Sequence, residues 1–235
     1  MAIKTIRDEL ATDRRAIRSF EQEAIAAARL STQNPHVLSV LDLGRLEDWY
    51  YQVLEWIPPA IGGRPDISSL TGACTVVRAR QIMMHISDAV STAHARGIVH
   101  SDIAPWNVLY RADIDRYLLT DFGLARVVEK DLLSIPSRSL LVGGRRPFLP
   151  AYARDSFDVS KATDVYALAI TFWTLLSGER NMALGEEIPG VIPVVAEQRD
   201  APIQARQLLT RFVECHDPTD TVADFKARVE EIPVR

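Results

Sequence analysis

Three polar residues in the middle of the chain have the types and spacing needed for metal-assisted phosphoryl transfer. Asp102 and Asn107 stand five residues apart in the segment HSDIAPWN, and Asp121 follows Asp102 by 19 residues. Mg²⁺ takes oxygen ligands, usually one or two protein carboxylates together with phosphate oxygens, so Asn107 and Asp121 are candidate metal ligands. A separate carboxylate must accept the proton of the attacking hydroxyl, and Asp102 is the candidate for this base.

The elements predicted before these residues are one helix and two strands. Apolar residues recur at three- and four-residue steps between Asp13 and Leu30, which is the spacing of an amphipathic helix. The runs His36–Leu43 and Trp49–Trp56 have the composition of strands, and Gly44 with the charged residues after it predicts the turn between them.

The remainder of the chain follows a segment rich in proline and glycine at 58–65 and is predicted to be mainly helical. A helix spans Val76–Ala95 and stops before Gly97. Two short strands, Val108–Tyr110 and Tyr117–Thr120, interrupt the helical pattern between Asn107 and Asp121. Further helices are predicted near 164–177, 203–215 and 222–231.

The order and spacing of these motifs resemble those of the eukaryotic-type protein kinases over nearly the whole chain. The opening residues Met1-Ala2-Ile3-Lys4 are similar to the end of the family's third strand, whose lysine holds the α- and β-phosphates of ATP. Glu23, 19 residues further on, is similar to the glutamate that pairs with this lysine. The segment 54–57 resembles the family's hinge, which implies that backbone groups of Glu55, Trp56 and Ile57 contact adenine.

The later motifs resemble the catalytic machinery of the same family. The segment 100–107 is similar to its catalytic loop, and Asp121-Phe122-Gly123 to its metal-binding turn. The resemblance implies that Asp102 is the catalytic base, that Asn107 and Asp121 bind Mg²⁺, and that Lys4 and Glu23 complete the catalytic set. Asp164, at the start of the apolar helix, resembles the aspartate that braces the catalytic loop.

The resemblance implies an α+β, protein-kinase-like bilobal fold. A partial β-rich N-lobe without the Gly-rich loop would occupy residues 1–57, a hinge or linker residues 58–65, and a mainly helical C-lobe residues 66–235. The implied reaction transfers the γ-phosphoryl group of ATP to a serine or threonine hydroxyl of a protein. ATP and Mg²⁺ are the implied cofactors.

Several positions depart from the family pattern. Ser101 replaces an arginine of the catalytic loop, and Ala104 replaces the lysine that steadies the γ-phosphate in serine/threonine kinases. Loss of a positive group opposite the transferring phosphoryl raises the barrier to reaction. Ala151 and Thr221 replace a glutamate and an arginine that normally pair, and losing both partners leaves no stranded buried charge.

Two alternatives from other functional classes stay open. A pseudokinase, acting as a nucleotide-binding or interaction module, would explain Ser101, Ala104 and Ala151, but it has no need of the polar catalytic positions. A small-molecule phosphotransferase of the aminoglycoside or choline kinase type also has a His-x-Asp loop with a later asparagine. The Asp121-Phe122-Gly123 turn and the interval from there to Asp164 fit protein kinases better.

Composition predicts an ordinary cytoplasmic globular domain. The 235 residues are 47% apolar, and the formal charge of −4 does not favour binding to nucleic acid. The longest apolar run, residues 165–176, is too short to span a bilayer. The two cysteines lie far apart without CxxC spacing, so neither a disulfide scaffold nor a thiolate metal site is predicted.

The position of Lys4 so close to Met1 leads to a prediction about the gene. In the family, two strands and the Gly-rich loop precede the lysine strand, and a strand without these neighbours has an unpaired edge. We expect in-frame translation upstream of Met1 to contain a Gly-rich segment within about 40 residues. Sequencing the upstream DNA tests this, and an in-frame stop codon directly before Met1, with no valine codon at position 1, would contradict it.

Overall fold

A three-stranded antiparallel sheet and one long helix form the first part of the fold. The computed structural model describes residues 1–6, 8–122, 126–127, 148–150, 152–153, 159–177, 202–215 and 217–233. The strands are β1 (Ala2–Thr5), β2 (Val40–Leu46) and β3 (Trp49–Leu54), in the order β1-β3-β2. Helix α1 (Arg14–Ser31) packs against β2.

Helix α1 forms where the apolar periodicity predicts it. Asp13 caps its N-terminus by accepting a hydrogen bond from the backbone N–H of Arg15 at 2.9 Å. The buried face carries Phe20, Ala24, Ala27 and Leu30, together with one acidic residue, Glu23. The buried amide of Gln52 on β3 donates to the carbonyl oxygen of Phe20 at 2.9 Å and so ties α1 to the sheet.

The predicted strand His36–Leu43 is wrong in its boundaries, because β2 begins at Val40 and continues through Gly44 to Leu46. Gly44 pairs with Tyr51 of β3, and a Cβ at Gly44 would lie 2.5 Å from the Tyr51 hydroxyl. Glycine therefore lets the tyrosine ring lie across the strand, and a larger residue would have to displace that ring. The turn falls later, where Glu47 has a φ of 52°.

Buried helices form the second part of the fold. Helix α2 (Val76–His94) packs against α3 (Lys161–Ser177) and α5 (Val222–Glu230). Nearly every residue of α3 is buried, as its apolar sequence predicts. The predicted helix at 203–215 is α4 (Ile203–Leu209) followed by one π-helical turn, Thr210–Glu214. Thr221 caps α5 in a reciprocal pair with Asp224, whereas Ala151 lies outside the described residues.

Short strands surround the segment that carries the candidate site. The hairpin β5 (Val108–Arg111) and β6 (Arg116–Leu119) follows the segment 100–107, each strand within one residue of its predicted start. Directly before the same segment, β4 (Ile98–Val99) pairs antiparallel with β7 (Arg126–Val127). Among the described residues, no helix combines the length and apolar character required to cross a bilayer.

Two sets of hydrogen bonds join the sheet to the second part of the fold, and the chain segment after β3 connects the two parts covalently. Backbone hydrogen bonds of 2.9 and 2.7 Å link the segment 36–39 to Leu119 at the end of β6. The amide of Asn34 donates to the carbonyl oxygen of Asp88 at 2.9 Å and to the hydroxyl of Thr92 at 2.8 Å, both on α2. The chain itself passes from β3 to the helical part through the proline- and glycine-rich segment 58–65.

Candidate active site

Lys4 brings together two carboxylates from distant parts of the chain. Its ammonium lies 2.5 Å from Oε1 of Glu23 on α1 and 2.8 Å from Oδ1 of Asp121, which follows β6. Lys4 itself is on β1, so three separate elements meet at one nitrogen atom. The sequence predicted the pairing of Lys4 with Glu23, and the structure places Asp121 against the same ammonium.

Burial and charge act in opposite directions on these three groups. Burial raises the pKa of Glu23 above its usual range, although the Lys4 ammonium draws it down. Burial alone would raise the pKa of Asp121, but the charge and hydrogen bond of Lys4 outweigh it and the pKa is lowered. The pKa of Lys4 is raised, because the two carboxylates outweigh the effect of burial. Lys4 and Asp121 therefore carry opposite charges at neutral pH.

Asp164 holds the segment 100–107 in place from beneath. Its carboxylate, fully buried at the start of α3, accepts hydrogen bonds at 2.8 Å from the backbone N–H groups of His100 and Ser101. The ring Nε2 of His94, at the end of α2, donates to it at 2.8 Å as well. A buried carboxylate with three donors satisfies its hydrogen-bonding capacity and fixes the backbone that donates to it.

The ring of His100 orients the next residue of this segment. Its Nδ1 accepts a hydrogen bond from the backbone N–H of Asp102 at 3.2 Å, so Nε2 carries the proton and donates to the carbonyl oxygen of Thr120 at 3.1 Å. Burial lowers the pKa of His100, which favours this neutral form. The ring also packs against Phe122, with the centroids 4.6 Å apart.

Asn107 and Asp102 contact each other directly. The side-chain amide of Asn107 donates to the carbonyl oxygen of Asp102 at 2.7 Å and to its Oδ2 at 2.9 Å. Both residues are buried, and the backbone N–H of Thr120 donates to the carbonyl oxygen of Asn107 at 3.0 Å. The candidate base and a candidate metal ligand are thus held in one rigid loop that is tied to the residue before Asp121.

Two non-glycine residues of the site adopt left-handed backbone conformations. Ser101 has a φ of 67° and Asp121 a φ of 64°, a region that residues with a Cβ rarely occupy. Such conformations persist only where the surroundings determine them, and they concentrate at functional sites. Here Ser101 is held by Asp164 and Asp121 by Lys4.

A cavity of about 170 Å³ opens between the sheet and the hairpin β5–β6. Its polar lining consists of Lys4, Glu23, Gln52, Asn107, Thr120 and Asp121. Its apolar lining consists of Ala27, Leu38, Val40, Leu54, Trp106 and Phe122. An apolar wall beside a cluster of charges suits a ligand that has a flat ring at one end and phosphates at the other.

The oxygen atoms of Asn107 and Asp121 suit Mg²⁺ better than they suit a metal ion whose ligands all come from the protein. Both residues line the cavity, and amide and carboxylate oxygens are the ligands that Mg²⁺ takes. Within the described part of the chain, no three His, Cys, Asp or Glu side chains converge as a complete metal cage. A cation with few protein ligands that takes its remaining ligands from phosphate and water is consistent with this set.

The predicted hinge residues lie beside the cavity and do not contribute to its lining. The Glu55 side chain forms an ion pair with Arg111, at the end of β5. Ile57 is buried with Leu38 and Leu118, whereas the Trp56 side chain is about half exposed.

Sequence reasoning assigned no site role to Trp106 or Gln52, although both line the cavity. Trp106 stands in the predicted loop, and its ring meets Phe148 edge-on at 5.2 Å. Its only signal in the sequence is that a bulky residue immediately precedes Asn107. Gln52 gave one weak signal, a polar residue within an apolar strand. Ala104, at the position of the missing lysine, is buried.

Comparison with known proteins gives a consistent result. The family described as protein kinase domain matches residues 1–199. The serine/threonine-protein kinase PrkC of Bacillus subtilis is 33% identical over 76% of this chain, and a probable serine/threonine-protein kinase of Clostridium perfringens is 31% identical over the same share. The chain spans about a quarter of the length of these two relatives, 26% and 25% respectively.

A solved structure supports the fold. The kinase domain of Mycobacterium tuberculosis PknI is similar with a TM-score of 0.71 and 24% identity, over 97% of this chain and 84% of that one. The predicted α+β, kinase-like fold is thereby confirmed. The boundaries predicted between lobes and hinge stay a prediction.

The three hydrogen bonds to Asp164 generate a stability prediction. Asp164→Ala should lower the free energy of unfolding by about 3–5 kcal/mol, because removal of a buried charged partner leaves its donors unsatisfied. Asp164→Asn should lower it less, since one oxygen acceptor remains. Urea denaturation measures both variants. The matched control is Asp48→Asn, whose carboxylate is 96% exposed and which should change stability by no more than ~0.5 kcal/mol. A loss below 1 kcal/mol in Asp164→Ala would contradict the bracing role, since that is under the range given above.

Proposed function

The chain belongs to the protein kinase domain family, and from this we propose that it transfers the γ-phosphoryl group of ATP to a serine or threonine hydroxyl of a protein. One observation carries the proposal: Lys4 contacts both Glu23 and Asp121 within 2.8 Å, at a cavity that Asn107 also lines. The match to serine/threonine-protein kinases favours a protein acceptor over a small molecule. Action in the cytoplasm, without nucleic acid, stays a prediction from composition.

Lys4 supplies the positive charge for the phosphates. Its pKa is raised by Asp121 and Glu23, so it is protonated throughout the physiological range. Glu23, buried on α1, holds the ammonium in the wall of the cavity. A fixed ammonium stabilises phosphate charge without the cost of ordering a flexible side chain during the reaction.

Asn107 and Asp121 are the residues that would hold Mg²⁺. The ion, when bound with the nucleotide, would neutralise charge on the phosphates. Asp121 is ionised, because the Lys4 ammonium lowers its pKa, and it is held in a fixed backbone conformation. Asn107 is fixed by its two hydrogen bonds to Asp102.

Asp102 would accept the proton of the attacking hydroxyl. Its backbone is fixed by His100 and its Oδ2 by the amide of Asn107, so the carboxylate is oriented before the acceptor arrives. Orientation of this kind is what a general base needs, since proton transfer depends on geometry first.

A nucleotide-binding module without catalysis is the second candidate function. Ala104 favours it, because this buried methyl group stands where serine/threonine kinases have a lysine for the γ-phosphate. The two candidates agree on nucleotide binding and differ in phosphoryl transfer, so separate measurements of each distinguish them.

The charge on Asp121 generates a binding prediction. We expect Asp121→Asn to abolish the Mg²⁺-dependent part of ATP binding while the fold persists, because an amide has the shape of the carboxylate without its charge. Thermal-shift titrations with ATP, with and without Mg²⁺, measure this, and Asp113→Asn, an exposed carboxylate outside the cavity, is the control. An equal shift with MgATP in wild type and Asp121→Asn would remove Asp121 from the metal site.

The position of Asp102 generates a catalytic prediction. Asp102→Ala should reduce kcat by about 10²–10⁴-fold, the usual contribution of a general base, with little change in ATP affinity. Autophosphorylation and transfer to a generic protein substrate are measured beside nucleotide titrations. Undiminished transfer in Asp102→Ala would show that the base is misassigned. Equal nucleotide binding with no transfer by wild type would favour the second candidate.

A further inference from the structure

The hinge segment 54–57 is attached to the hairpin β5–β6 and to the segment that pairs with it by three kinds of contact. The backbone N–H of Glu55 donates to the carbonyl oxygen of Ser39 at 3.0 Å, within the segment 36–39 that pairs with β6. Ile57 is buried in a small apolar cluster with Leu38 and Leu118. The third contact is ionic and joins the Glu55 side chain to Arg111.

The Glu55–Arg111 ion pair spans the two parts of the fold. Glu55 directly follows β3 of the sheet, and Arg111 ends β5 of the hairpin. The two side chains are only 22% and 30% exposed, so water screens their attraction less than it screens a fully exposed pair. The Arg111 guanidinium has a second acidic neighbour, Asp113, at 3.5 Å, but that carboxylate is 70% exposed.

These contacts hold the hinge without using the backbone groups that the family resemblance implies for adenine. Within the described part of the chain, no hydrogen bond uses the carbonyl oxygen of Glu55 or the N–H of Ile57. Side chains on both sides of Trp56 are anchored, whereas Trp56 itself is exposed. The anchoring therefore fixes the peptide units between residues 55 and 57 and leaves their polar groups available.

We propose that the Glu55–Arg111 ion pair is a positioning contact for nucleotide binding, which fixes the hinge backbone at Glu55–Ile57 so that it can receive adenine. This proposal rests on the proposed function. Glu55 then has two roles, one through its backbone and one through its side chain. Arg111 acts through Glu55, without contact to the nucleotide.

The physical reason is the cost of ordering the hinge. A hinge that is already fixed loses little conformational entropy when the nucleotide binds. A hinge released from Arg111 must be ordered as the nucleotide binds, and this weakens the affinity. The loss should appear in ATP affinity and leave the chemical step unchanged, because Lys4, Asp102 and Asp121 do not contact the pair.

The test is a double-mutant cycle on nucleotide binding. Glu55→Gln and Arg111→Gln should each weaken MgATP binding about fivefold, and the double variant should bind no more weakly than the singles, since all three lack the same contact. The KM for ATP should rise by the same factor while kcat stays within twofold of wild type. Arg111→Lys, which keeps the charge, should restore most of the affinity, and Asp113→Asn should bind like wild type because it removes only the exposed neighbour.

Amide hydrogen exchange of the nucleotide-free chain provides a readout that does not depend on the proposed function. The N–H of Glu55, which donates to Ser39, should exchange faster in Arg111→Gln than in wild type, and at the wild-type rate in Asp113→Asn. Equal exchange at the Glu55 amide, or unchanged MgATP affinity in both glutamine variants, would overturn the positioning role while leaving the proposed function intact. If wild type binds no MgATP, the proposed function fails and this role fails with it.

Discussion

The buried carboxylate of Asp164 is the contact on which the geometry of the site depends. It lies in the first turn of the most deeply buried helix and accepts three hydrogen bonds, two of them from consecutive backbone N–H groups of the catalytic loop. A charge in the core is stable only when it is fully paired, so the loop must take the conformation that pairs it. The left-handed conformation of Ser101 follows from this requirement. The contacts of Asp164 therefore stabilise the helical part and determine the shape of the site at the same time.

The part of the site formed by Lys4, Glu23 and Asp121 depends on a different balance, in which one ammonium pairs with two carboxylates. Lys4 belongs to the sheet, Glu23 to α1 and Asp121 to the loop after β6, so their meeting fixes how the sheet sits on the hairpin. Asn34 and the segment 36–39 hold the same junction from another side. Because burial and the neighbouring charges together set the pKa of all three groups, a ligand that carries its own charges will change all three.

Sequence patterns located the helices well where apolar residues recur at regular spacing. They located the ends of an element less well where tertiary packing determines them. Helices α1 and α3 follow their apolar periodicity closely. The bounds of strand β2 were predicted less well, because glycine is typical of turns and Gly44 predicted one. In the structure Gly44 lies within the strand, and the Tyr51 ring occupies the space beside it. The last residues of the predicted helix at 203–215 form a π-helical turn, which side-chain periodicity does not distinguish from a straight helix.

By itself, the sequence determined which residues are chemically able to act and in what order they stand along the chain. Residue type, the spacing between Asp102 and Asn107, and the polarity of each helix face are local properties that the amino acids carry wherever they fold. The resemblance of the sequence to a family also implied that Lys4 meets Glu23 and that Asp164 braces the catalytic loop, whereas only the tertiary structure decided the other contacts of the site. Lys4 reaches Asp121 across 117 positions, and Arg111 reaches Glu55 across 56. Such contacts depend on how the sheet, the hairpin and the helices pack against one another, and no periodicity within a single element encodes that arrangement.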